Sequence, residues 1–189
     1  MATFTVNRPQ RTIRPLEPSD RDQVAAILPS VGNFTVTEIA TALELIDEWL
    51  ATGEASGYLT YVVERDETPI GSTQGPIAGY VCYGLAPLTE RTYDIYWIAV
   101  SPDAQGGGYG RALLAFAEAD ITRRGGHLLL IETASHETYG ATIRFYQRAG
   151  YALISRIPDY YRRGDDKLTF GKVLDAADGS QLEGAELEA

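Results

Sequence analysis

The chain has a single cysteine, Cys82, which excludes an intrachain disulfide and any cysteine-rich metal centre. Its two histidines, His127 and His136, belong to no metal-ligand spacing, so no metal is expected. No apolar run approaches the ~20 residues that cross a bilayer. Met1-Ala2-Thr3-Phe4-Thr5 lacks a basic stretch leading into a long apolar one. A soluble, cytoplasmic protein with no membrane partner is the expectation. Basic residues are scarce too: 16 Lys and Arg against 26 Asp and Glu leave a formal charge of −10. That balance disfavours a nucleic-acid partner and suits a cationic amine.

What is present is enough apolar material, 44% of 189 residues, for one substantial core. No linker divides the chain. Residues 1–174 are expected to form one domain, and residues 175–189 an acidic tail in which Asp175, Asp178, Glu183, Glu186 and Glu188 sit among Gly and Ala.

Arg11 to Leu16 reads as an opening strand, and Ser19-Asp20 as a helix start before Val24, Ile27 and Leu28, with Pro29 ending that helix. Thr35 and Glu38 are spaced as a capping box for a helix over 36–50, whose stripe is Ile39, Leu43, Ile46 and Leu50. The Gly32-Asn33-Phe34 turn ahead of it is placed to border a substrate channel. Strands follow at 58–63 and 77–83 as an antiparallel pair around a turn-rich stretch at 66–76, and a third runs over 92–100. A helix over 110–124, a short apolar strand from Leu128, a helix over 140–149, and strands at 152–157 and 167–174 around a 158–166 loop complete the series. The fold class is mixed α/β, with a strand–glycine turn–helix–strand crossover at its centre.

That turn, Ser101-Pro102-Asp103-Ala104-Gln105-Gly106-Gly107-Gly108-Tyr109-Gly110-Arg111, is the most informative segment. Amides at a helix start lack intrahelical partners, and glycines allow close approach, so it has the outline of a phosphate-binding loop. Gly106, Gly108 and Gly110 are spaced two apart, unlike a dinucleotide fingerprint. Arg111 and Ala112 follow Gly110 where a nucleotide phosphate loop needs Lys and a hydroxyl.

Gln105-x-x-Gly108-x-Gly110 after Val100-x-Pro102 resembles the acyl-coenzyme-A loop of the GNAT superfamily of N-acetyltransferases. Ala141-Thr142-Ile143-Arg144-Phe145-Tyr146-Gln147-Arg148-Ala149-Gly150-Tyr151 is similar to that family's second segment, a helix with a Phe-Tyr pair before a glycine and an aromatic. The resemblance spans roughly residues 11–174 and implies the order β-α-α-β-β-β-α-β-α-β-β. It implies acetyl-CoA as cosubstrate, with Gln105, Gly106, Gly108 and Gly110 cradling the pyrophosphate and Arg111 adding a contact. Ile98 and Val100 would lie on the strand end that pairs with the pantetheine arm. The family commonly has Asn three residues before Ala in the second segment; Tyr139 and Thr142 stand there instead.

The resemblance implies an acyl-CoA-dependent N-acetyltransferase in which Tyr146 is the general acid that protonates the departing thiolate. Asp94 and Glu132 are both candidate proton acceptors or ammonium ligands. If the strand over 92–100 is regular, Asp94, Tyr96, Ile98 and Val100 share one face. Glu132 beside Leu128 to Ile131 is costly to bury unpaired, so it is expected to reach a polar cleft. Tyr160 and Tyr161 would contact substrate on a variable hairpin, and the 134–138 loop is a further candidate for acceptor recognition. A small cationic amine is the default acceptor, with a protein amino terminus or side-chain amine as the alternative. A noncatalytic acyl-CoA-binding module is the reading from another class. Homodimerisation is common in the family.

Overall fold

A computed structural model describes residues 11–66 and 75–174. The expected tail, 175–189, and the centre of the expected turn at 66–76 lie outside the described residues. The elements run β1 (Ile13–Pro15), α1 (Arg21–Ser30), α2 (Val36–Thr52), β2 (Tyr58–Glu64), β3 (Ile77–Leu85), β4 (Thr92–Val100), α3 (Tyr109–Arg123), β5 (Leu128–Ala134), α4 (Gly140–Arg148), β6 (Ala152–Arg162) and β7 (Asp165–Val173). This is the α/β order anticipated from the sequence.

Local chemistry accounts for several boundaries. At the start of α2 the Glu38 amide donates to Thr35 Oγ1 at 3.2 Å and the Thr35 amide to Glu38 Oε2 at 2.7 Å, closing the capping box. Ile46 is buried, while Ile39, Leu43 and Leu50 pack at the core edge, so the stripe faces inward. Pro29 is tolerated in the last turn of α1, which closes one residue later.

The strands form one sheet in the order β1-β2-β3-β4-β5-β7-β6. Every neighbouring pair is antiparallel except β4 and β5, the pair joined through α3. Val24 and Leu28 of α1, Ile46 of α2 and Leu113, Leu114 and Ile121 of α3 are fully buried with Val62, Tyr80, Tyr83 and Phe170 of the sheet. The Tyr83 hydroxyl donates to Asp120 at 2.7 Å, and Arg123 and Arg124 also hold that carboxylate. A buried acid is stable there because its lone pairs are filled.

Two irregularities position the site. β4 and β5 are paired only from Thr92↔Leu128 to Ile95↔Ile131. Beyond Ile95 the strands part, leaving one backbone edge of Tyr96–Val100 without a strand partner among the described residues. In addition, Cys82 pairs with Trp97 but Tyr83 pairs with Ile95, so Tyr96 is an extra residue, a bulge in β4.

The bulge overturns the expectation that Asp94, Ile98 and Val100 share a face. Opposed residues in a ladder point the same way. Asp94, Trp97 and Ala99 therefore lie with Gly84, Cys82 and Tyr80. Ile95, Ile98 and Val100 lie with Tyr83, Val81 and Gly79, on the face that meets α3. One inserted residue reverses the alternation downstream of it.

The expected 158–166 loop is also corrected. β6 continues to Arg162, β7 begins at Asp165, and only Arg163 and Gly164 turn between them. Ile157 pairs with Lys167 and Arg162 with Asp165, so the residues between bulge out of β6 opposite Asp166. Pro158 is accommodated because β6 is an edge strand. Asp166 Oδ1 accepts the Asp159 amide at 2.9 Å and stands in for a ladder partner. The loop signal in the sequence was a bulge.

Candidate active site

The glycine segment folds as a short 3-10 turn at Pro102–Ala104 leading into α3. Gly106 and Gly108 have φ of 76° and 88°, a left-handed backbone that favours glycine. The first helical bond runs from the Ala112 amide to the Gly108 carbonyl at 3.1 Å, so the amides of Tyr109, Gly110 and Arg111 precede the intrahelical ladder. The first turn of α3 carries no acidic residue. Gly110 has a different role, since a Cβ there would lie 3.5 Å from the Phe145 ring at ordinary contact. The Gln105 side chain turns back and donates to the Val100 carbonyl at 3.2 Å, tying the loop to the end of β4. Arg111 is exposed on the first helical turn.

Where β4 and β5 part, a cavity of about 910 Å³ opens. Because the gap passes through the sheet, residues from both faces line it. Asp94, Trp97 and Glu132 come from one face. Ile98, Ile131 and Tyr146 come from the other, Tyr146 packing at 5.9 Å from the Phe170 ring that stands opposite Ile131. Asn33, Phe34 and Thr35 of the α1–α2 turn border the cavity, as do Ala134, His136 and Thr138 of the segment after β5. The Tyr139 hydroxyl donates to the Asn33 carbonyl at 2.7 Å and joins these two walls.

Tyr146 is buried, and that burial, with a smaller push from Tyr139, holds its phenol well above the ordinary tyrosine value. The group stays protonated throughout the neutral range. Its ring touches Phe145 and Tyr151 at 5.4 and 6.2 Å. Asp94 is half-buried, and desolvation followed by repulsion from Glu132 raises its carboxyl, partly offset by Lys167. Glu132 lies 2.5 Å from Lys167 Nζ and is half-exposed, which agrees with a carboxylate that reaches a polar cleft.

The other anticipated residues divide. Tyr161 lines the cavity, with its phenol raised by burial and by Glu132. Tyr160 stands outside, edge-on to Tyr161 and beneath Lys167, whose ammonium is 5.0 Å from its ring. Val100 and the 105–111 segment lie beyond the cavity lining, at the open end of β4. Lys167, Trp97 and Tyr139 were not anticipated as site residues. Lys167 sits opposite Ala134 in the β5–β7 ladder and thus on the Glu132 face, a relation visible only once the register is known. Trp97 carries a buried indole N–H with no partner among the described residues. The sequence clue to Tyr139 was its departure from Asn.

A splayed parallel pair with a glycine-rich turn and helix at its mouth defines an acyltransferase-type α/β domain. The family model described as an acetyltransferase (GNAT) domain matches residues 56–153, from the end of the α2 region into β6. The chain belongs to the GNAT acetyltransferase family. A GNAT-family protein from Desulfovibrio desulfuricans is 41% identical in its crystal structure, covering 87% of this chain and 99% of that one with a TM-score of 0.79. An acetyltransferase-like structure from Salmonella typhimurium that holds acetyl-CoA shares the fold at 21% identity and a TM-score of 0.67, over 89% of this chain and 96% of that one. The mycothiol acetyltransferase of Cellulomonas flavigena is 35% identical over 100 residues, which are 52% of this chain and 27% of that protein. The match thus spans about a quarter of that relative's length.

Proposed function

We propose that the chain transfers an acetyl group from acetyl-CoA to a primary amine by direct attack, with a small cationic amine as acceptor. The observation that carries this reading is the cavity between β4 and β5, with Asp94 and Glu132 on one face and buried Tyr146 on the other. An amine and a thioester can meet in that gap from opposite sides of the sheet.

On this reading the free amides at the start of α3 meet the pyrophosphate, with Gly106 and Gly108 shaping the turn and Arg111 adding a charge. The open edge of β4 at Ile98 and Val100 pairs with the pantetheine arm, and the Gln105–Val100 bond holds that edge in register with the loop. Asp94 is favoured as proton acceptor over Glu132, because Lys167 already neutralises Glu132 while Asp94 has a raised carboxyl. The acceptor ammonium loses a proton to Asp94, and the neutral nitrogen attacks the thioester carbon. The C–N bond forms, the C–S bond breaks, the nitrogen sheds its second proton to solvent, and the thiolate takes the Tyr146 proton. Asp94 gives up its proton to solvent and Tyr146 is reprotonated from solvent, which returns both groups to their starting states for the next turnover. Tyr161 contacts the acceptor at the cavity mouth, with Tyr160 supporting it from outside.

An amine panel assayed by thiol release from acetyl-CoA tests the reading, with turnover of at least one primary amine expected. Tight acetyl-CoA binding without thiol release across small amines and peptide amino termini would instead support a noncatalytic binding module.

A further inference from the structure

We propose that Lys167 is a specificity-determining residue that occupies Glu132 from behind and leaves the acceptor pocket fitted to an amine bearing one positive charge. The inference rests on the acetyl-transfer reading for the use of the pocket, and on charge pairing for its selectivity.

Four carboxylates among the described residues line the cavity: Glu38, Asp94, Glu132 and Asp165. Glu38 is engaged by the Thr35 amide at 2.7 Å, at the positive end of α2. Asp165 is paired with Arg162 at 3.2 Å and accepts the His136 amide at 3.1 Å. Glu132 is paired with Lys167 at 2.5 Å. Lys167 is outside the lining and reaches Glu132 from β7, with its ammonium over the Tyr160 ring. Its side chain is only 18% exposed, so the pair is shielded on the β7 side. Among the described residues, Asp94 alone of the four has no ion-paired cation, amide donor or helix terminus; Lys167, paired with Glu132, acts on it only from a distance.

A monocationic amine therefore finds one carboxylate to meet. Its apolar remainder meets Phe34, Trp97 and Tyr96, aromatic surface that suits the carbon body of such an amine and the face of its cation. A dication would place its second ammonium among acids already neutralised, where desolvation is not repaid by a partner. Removing the Lys167 charge frees Glu132 beside Asp94 and converts the pocket to one for two charges.

The test compares butylamine with putrescine, equal in chain length and differing in one ammonium, by calorimetric binding to wild type, Lys167→Met and Lys167→Gln. Wild type should favour butylamine by about tenfold, and both variants should move the ratio about tenfold toward putrescine. Glu132→Gln strands the Lys167 ammonium near Asp94 and should weaken both amines. Equal affinities in wild type, no binding of either amine, or an unchanged ratio in folded variants overturns the proposal. Thiol release from acetyl-CoA with butylamine is scored separately: its absence counts against acetyl transfer, whereas the binding ratio decides the role of Lys167.

Discussion

Replacing Tyr146 by Phe removes one oxygen from the cavity wall and leaves the ring, whose neighbours are the rings of Phe145, Tyr151 and Phe170. The hydroxyl makes no hydrogen bond to a described side chain or backbone group, so stability should change by less than about 1 kcal/mol. The catalytic consequence should be much larger. A positioned general acid contributes ~10²–10⁴ in rate, equivalent to roughly 3–5 kcal/mol of barrier. Because burial keeps this phenol protonated well above neutrality, the donor is fully present at pH 7 and the entire effect should appear there. Single-turnover acetyl transfer at saturating acetyl-CoA should fall at least about a hundredfold. The dissociation constant for acetyl-CoA should hold, and the thermal midpoint should move little. A single-turnover rate within a factor of about two of wild type would refute the general-acid assignment, since no other loss is available to mask it.

Asp94→Asn should abolish the acidic limb of the kcat/KM profile if Asp94 is the base, measured with a turned-over amine; an unchanged limb rejects it. Burial and Glu132 raise the Asp94 carboxyl in the fold, so its ionised form opposes folding. That penalty exists above the folded pKa and disappears as pH falls through it, so Asp94→Asn should raise the thermal midpoint at pH 7, and the gain should vanish in acid. Tyr83→Phe deletes the 2.7 Å bond to Asp120 but leaves both arginines on that carboxylate, and chemical denaturation should show a loss of about 1 kcal/mol. Gly108→Ala forces a Cβ onto a residue at φ 88° and should cost about 1 kcal/mol of unfolding free energy. Gly110→Ala, whose Cβ meets only ordinary contacts, should stay within about 0.5 kcal/mol.

The elements most legible in the sequence were those whose signals are local. Thr35 and Glu38 close a capping box through atoms three residues apart, and β4 occupies residues 92–100, the span read as a strand from the sequence. The glycine turn before α3 was legible for the same reason, because left-handed backbone at Gly106 and Gly108 is a property of those residues. The hairpin was misread because Pro158 and Asp159 mark a bulge as readily as a loop, and the distinction depends on Asp166 across the ladder.

By itself the sequence determined the α/β order, the turn that frees amides at the start of α3, and Tyr146 on the helix after β5. Short-range sterics and hydrogen-bond geometry settle such features. Only the tertiary structure decided which acids meet and on which face. The bulge at Tyr96 puts Asp94 opposite Ile98 and Val100, the parting of β4 from β5 opens the sheet to both faces, and the β5–β7 register brings Lys167 to Glu132. Register and splay arise from pairing between distant segments, and a one-residue shift reverses a side chain's face without changing any local pattern.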